Sequence, residues 1–118
     1  MKFNLLLFGL YQMLRVASLT NKAFKKHIKN AGVRIMFKTK DNSVGRLIIF
    51  DKGKIRSLSG ADHAFDFALV FKDADAGFAT LTNKKPDASF NAAARGDMHL
   101  EGMSAWAVWF EQAAKLVI

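Results

Sequence analysis

Across residues 3–19 the chain is almost continuously apolar, and its polar interruptions Asn4, Gln12 and Arg15 fall within about 80° of one another on a helical wheel. The pattern predicts a helix with one narrow wet stripe and a broad apolar remainder that needs burial. A bilayer span is disfavoured, because the uncharged run is short of the roughly 20 residues a crossing requires. Lys2, the apolar run and the small pair Ala17-Ser18 have the outline of a cleaved signal peptide, but Arg15 sits badly within it. The favoured reading is a helix packed on the domain or lying at an interface.

Residues 21–30 (NKAFKKHIKN) predict a second, short helix with Phe24, His27 and Ile28 on one side, lysines elsewhere, and Gly32 as its stop. Period-two alternation then takes over. Residues 33–38, 44–50 and 54–58 read as an antiparallel meander, the first strand placing Val33, Ile35 and Phe37 on one face. Asp41-Asn42 suits the first hairpin, and Asp51-Lys52-Gly53 suits a type I turn closed by Gly53 in the left-handed region. After a loop at residues 60–64, residues 66–71 form a fourth strand with Phe67, Leu69 and Phe71 on one face.

Beyond Phe71 the period changes to 3.6. Asp73 is a good N-cap, Asp75 lies where the helix dipole favours it, and Ala74, Phe78 and Leu81 share a face up to Asn83. Pro86 and Asp87 start another helix, carrying Phe90, which Gly96 stops. A short fifth strand, residues 97–101, puts Met98 and Leu100 inward. The last helix, residues 103–118, gathers Met103, Trp106, Ala107, Phe110 and Ala113 on one stripe, with Trp109 and Leu116 beside it. That stripe is about twice as wide as a surface helix needs to sit on a core. With the first helix showing the same excess, surplus apolar surface must face a partner helix, a cavity, a bilayer or a second subunit.

Composition narrows the classes. A chain of 118 residues with 51% hydrophobic residues folds as one compact unit with a core that needs no metal or disulfide. With no Cys, thiol nucleophiles and Cys-based metal sites are excluded, and a reducing compartment fits. The net charge of +8 is lopsided: residues 1–60 carry 13 − 2 = +11 and residues 61–118 carry 5 − 8 = −3. Such a segment attracts polyanions.

Catalytic signatures are missing. There is no GxxxxGK[ST], no GxGxxG after a strand and no GxSxG, and His27, His63 and His99 lack metal-ligand spacing. No enzyme activity, metal or other cofactor is expected. Nucleic acid is disfavoured as a partner, because Phe24, Phe37 and Phe50 occupy core positions rather than a stacking surface. An anionic membrane is the sharper alternative: Lys22, Lys25, Lys26 and Lys29 adjoin the apolar first helix and are the candidate docking residues.

The second half, DFALVFKDADAGFATL followed by PDASFNAAARGDMHLEGMSAWAVWFEQAAKL, resembles the sterol carrier protein, or non-specific lipid-transfer, domain family. The likeness lies in the order of strand, Asp73-capped helix, second helix, the glycine-bounded strand from Gly96 to Gly102, and final helix. It spans about residues 31–118, leaving residues 1–30 as appended apolar and basic helices. It implies an α+β fold, a five-stranded mostly antiparallel sheet with helices packed on one face. It also implies an apolar lipid-like ligand, fatty acyl, isoprenoid or sterol-like, in a tunnel between sheet and helices. Candidate lining residues from the strands are Phe67, Leu69, Phe71, Met98 and Leu100; from the helices, Phe78, Leu81, Phe90, Trp106 and Phe110. The expected setting is cytoplasmic, peripheral on the inner face of the membrane. The alternative is a non-enzymatic module whose surplus apolar faces form a homodimer or seat a partner protein.

Overall fold

The computed structural model describes residues 2–82, 94–103 and 105–117. Helices α1 (Lys2–Thr20) and α2 (Lys22–Ile28) precede strands β1 (Gly32–Thr39), β2 (Gly45–Asp51), β3 (Lys54–Ser59) and β4 (Phe67–Phe71); α3 (Ala74–Thr82), β5 (Met98–Gly102) and α4 (Ala105–Val117) follow. Most of the predicted helix starting at Pro86, and Asn83 as the end of α3, lie outside the described residues.

The strands form one sheet in the order β3-β2-β1-β4-β5, antiparallel throughout except for the parallel β1–β4 pair. Asp66 holds that pair in register. It accepts the Arg34 backbone N–H at 2.8 Å and both Nε and Nη2 of the Arg34 guanidinium, at 3.3 and 3.2 Å. The bonded guanidinium holds the Asp66 carboxyl below the ordinary carboxylate range.

Two details in the first half of the chain differ from the sequence expectation. Both Lys52 and Gly53 have positive φ, 48° and 91°, in a two-residue loop closed by the Asp51–Lys54 pair. That is a type I′ arrangement, which matches strand twist where a type I turn would splay the strands. Helix α2 stops at Ile28, and Gly32 opens β1 instead of ending the helix.

The core lies on one face of the sheet. Val33, Ile35 and Phe37 of β1, Ile48 and Phe50 of β2, and Phe67, Leu69 and Phe71 of β4 meet Phe3, Leu7 and Leu14 of α1, Phe24 and Ile28 of α2, and Phe110 and Ala113 of α4. The helices of residues 1–30 are thus built into the same core as the strands. A smaller cluster, Met36, Leu47, Ala68 and Val70, lies on the opposite face. Asn21 breaks α1 from α2: its Oδ1 accepts the Phe24 N–H at 3.0 Å as an N-cap, and its Nδ2 donates to the Leu116 carbonyl at 2.7 Å, tying both helices to α4. Close approach of α1 to α3 relies on Gly77, where a Cβ would stand 2.5 Å from the Phe3 ring.

Gly102 ends β5 with φ +97°, and a Cβ there would collide with the Asp66 carbonyl oxygen. The chain turns at this point, so α4 begins at Ala105, and Met103, predicted within the helical stripe, stands outside it and is exposed.

Candidate functional site

On the helix-covered face, β4 and β5 supply a continuous apolar wall. Phe67, Leu69, Phe71 and Met98 are buried in it, with Phe3 set edge-on to Phe71 at 5.5 Å between ring centroids. Leu100 departs from the inward position expected of it. It keeps the helix-facing side, directly opposite Leu69, but is 44% exposed because β5 is the outer strand of the sheet. Phe78 and Leu81 are carried on α3, their side chains outside the description, and Phe90 lies outside the described residues altogether.

The α4 side of the same face is aromatic. Phe110 packs edge-on to Phe37 at 5.3 Å, and Trp109 meets Phe50 at 5.0 Å and Trp106 at 5.6 Å, both edge-on. His27 stacks on Trp109 at 5.0 Å and its Nε2 donates to the Trp109 carbonyl at 3.0 Å, so α2 clamps α4 through a ring and a hydrogen bond. Of the ten candidate lining residues, six are therefore placed in or against one apolar cluster: Phe67, Leu69, Phe71, Met98, Trp106 and Phe110. Trp109, which the wheel places beside the main stripe, is the hub of the aromatic set; a broad apolar stripe gives no sign of which ring will be central.

Helix α1 covers less of its own apolar surface than its sequence suggests. Phe3, Leu7 and Leu14 are buried, but Leu5 is 73% exposed, Val16 56% and Leu19 68%, with Phe8 and Met13 partly exposed beside them. The polar stripe of Asn4, Gln12 and Arg15 is thus only the margin of a wider outward face, and most of the excess apolar surface faces solvent. The reason is geometric: one face of a straight helix touches the sheet, and the other half has no neighbouring layer among the described residues. By length and composition residues 3–20 could cross a membrane, since the helix runs on past Arg15, but its inner side is locked into the core.

Two grooves flank this helix. One, of about 440 Å³, is lined by Gln12, Met13, Val16, Ala17, Thr20 and Asn21. The other, of about 500 Å³, is lined by Ser18, Lys25, Lys26, Lys29 and Gly53. The candidate docking lysines Lys22, Lys25, Lys26 and Lys29 recur at helical spacing on the exposed side of α2, opposite buried Phe24 and Ile28, and three of them converge on that second groove.

One charged residue sits where the alternation of β2 calls for an apolar one. Arg46 shares its face with Ile48 and Phe50 and lies opposite Phe37 and Ser59. Its Nη1 donates to Ser57 Oγ at 2.9 Å, the Phe8 ring lies 5.2 Å from the guanidinium carbon, and its Nε is buried with no hydrogen-bond partner. The signal was available in the sequence: within residues 44–50 the inward set reads Val44, Arg46, Ile48, Phe50. Among the described residues there is no group of three or more His, Asp or Glu that could hold a metal ion.

No protein-family model matches the chain, and no curated protein matches it in sequence. Solved structures match it in fold. A structure described as the UbiJ-SCP2 ubiquinone synthesis protein aligns with a TM-score of 0.68 over 96% of this chain and 91% of its own, at 15% identity. A crystal structure of sterol carrier protein 2 gives 0.65 over 91% and 89%, at 18% identity. The apo form of sterol carrier protein 2 from Yarrowia lipolytica gives 0.59 over 92% and 88%, at 16% identity. The chain has the sterol carrier protein fold. Since residues 31–118 are only 118 − 30 = 88 of the 118 residues, a match over 96% of the chain also takes in the N-terminal helices, which the sequence resemblance leaves aside.

Proposed function

We propose that this chain binds and carries an apolar, lipid-like ligand, a fatty acyl, isoprenoid or sterol-like molecule, in a tunnel between its sheet and helices. It does so at an anionic membrane surface, on the inner face of the membrane in the cytoplasm, and it catalyses no reaction itself. The observation that carries the reading is the outward face of α1: four large apolar side chains, Leu5, Met13, Val16 and Leu19, stand in water on a chain with the fold of proteins named as sterol carriers. An apolar helix face bordered by four lysines on α2 complements a surface that is oily beneath and anionic above. The buried wall of Phe67, Phe71 and Met98 and the aromatic set around Trp109 offer the apolar contacts such a ligand needs, each CH2 it buries contributing about 0.8 kcal/mol.

Native mass spectrometry of the gently purified chain, together with titration of a fluorescent fatty-acid probe, tests the reading. Copurifying lipid or saturable probe binding supports it; a ligand-free chain that also takes up no probe overturns it. The same α1 face also fits the competing interaction-module reading. Size-exclusion chromatography with light scattering separates the two: a lipid-independent dimer or partner complex that shields α1 favours the module.

A further inference from the structure

A guanidinium on the core side of a sheet normally brings a carboxylate with it. Arg46 does not. The ion pairs among the described residues are Arg34–Asp66, Arg56–Asp51, Arg95–Asp97 and His99–Glu101, and none includes it. Of its five N–H donors, the hydrogen bonds among the described residues engage one, on Ser57, while Nε is buried without an acceptor. Phe8 presents its ring to the cation, which offsets some charge, but a π face supplies no lone pair in the guanidinium plane. Arg46 as a whole is only partly buried, so its outer donors reach solvent, but the buried Nε does not, and an ionised donor held without an acceptor weakens the fold.

The surroundings indicate what kind of acceptor fits. Ser57 and Ser59 sit two residues apart on the edge strand β3 and so present their side chains on the same face as Arg46, adding two hydroxyls beside the fork. Phe8, whose ring lies over the guanidinium, is 44% exposed. A planar fork flanked by hydroxyls and bounded by apolar Phe37, Ile48 and Phe8 suits an anionic oxygen group attached to an apolar body. We propose that Arg46, with Ser57 and Ser59, anchors the acidic head of the carried lipid, a carboxylate or a phosphate monoester, while its tail lies on the apolar helix-facing side of the sheet. This rests on the carrier reading above and adds the chemical class of the head group.

Calorimetric titration of the full chain with dodecanoate, dodecyl phosphate and dodecanol, each below its micellar concentration, tests it. The wild-type chain should bind at least one anion about ten-fold or more tightly than the alcohol, and the stronger of the two anions identifies the head group. Arg46→Met, which keeps the aliphatic stem, should bring the anion to the affinity of the alcohol. Ser57→Ala should weaken the anion alone by a few-fold, and it decides the matter if Arg46→Met does not fold. Equal affinity for anion and alcohol in the wild-type chain, or an anion preference that survives Arg46→Met or, where that variant fails to fold, is untouched by Ser57→Ala, overturns the anchor and leaves the carrier reading standing. Failure of all three compounds to bind overturns both.

Discussion

Asp41 shows how much structure one exposed side chain can organise. Its carboxylate accepts the Ser43 backbone N–H at 3.0 Å and the hydroxyls of Thr39 and Ser43, each at 2.7 Å, and these bonds, the backbone one foremost, lower its pKa to about 2. A carboxyl whose folded pKa lies below its ordinary value of about 3.9 gives stability that is complete above that value and lost as pH falls through about 2. Asp66, lowered by its bonds from Arg34, acts in the same direction. Melting temperature should therefore fall between about pH 4 and pH 2, and Asp41→Asn should shrink that fall; an identical acid-side slope in the variant would contradict this account of the turn. Gly102 offers a second test. With φ at +97° and a Cβ that would strike the Asp66 carbonyl, Gly102→Ala should destabilise the chain by about 1–3 kcal/mol or more, read from the midpoint of urea unfolding. At this scale the sequence was legible where one residue type has one use. The glycine ending a short alternating strand and the Asp41-Asn42 turn are such cases. Asp66 was readable as a polar residue beside a loop, but its grip on Arg34, 32 residues away, depends on a parallel pairing that no local pattern contains.

Among the elements, α1 carries the clearest lesson, because its two sides make opposite predictions. Leu7→Ala, on the buried side, should cost about 2–5 kcal/mol, since the lost side chain leaves a cavity among Phe3, Leu14 and the sheet. Replacing Val16 and Leu19 together by Asn, on the outward side, should change stability by about 0.5 kcal/mol or less per site and yet lower binding to vesicles of mixed anionic and neutral lipid. Unfolding curves and vesicle sedimentation on the same two variants check both. Loss of stability in the outward pair would mean that this face is covered in solution. A helical wheel identifies α1 as a helix with more apolar surface than it needs, but it cannot say which half meets the sheet. That choice follows from Gly77 admitting the Phe3 ring and from Asn21 bonding α4. The strands were easier to read, since alternation states directly that Val33, Ile35 and Phe37 share a side. The same alternation, followed through Val44, Arg46, Ile48 and Phe50, would have marked Arg46 as the residue out of place, but the sequence reading passed over it. Leu100 broke the rule because alternation fixes the side a residue faces and not whether anything lies over it.

For the whole molecule, the asymmetry of +11 in residues 1–60 against −3 in residues 61–118 becomes a spatial fact once α2 brings Lys25, Lys26 and Lys29 to one groove beside the exposed face of α1. Oil-loving side chains and cations then belong to neighbouring elements, and their two contributions to the proposed membrane docking can be separated by experiment. Each basic residue near an anionic surface contributes about 1 kcal/mol, and that share is screened by salt, whereas the apolar share is not. Reversing all three lysines to Glu lowers the net charge from +8 to 8 − 6 = +2 without touching a buried position. The triple variant should lose on the order of 100-fold in affinity for vesicles rich in anionic lipid at low salt. It should also lose most of the salt dependence expected of the wild-type chain, while binding to neutral vesicles, assigned to Leu5, Val16 and Leu19, stays where it was. Vesicle sedimentation across a salt series reads all three quantities. If the variant keeps the wild-type affinity and salt slope, the lysines are merely the solvated side of a short helix, and membrane docking would have to rest on the apolar face of α1 alone.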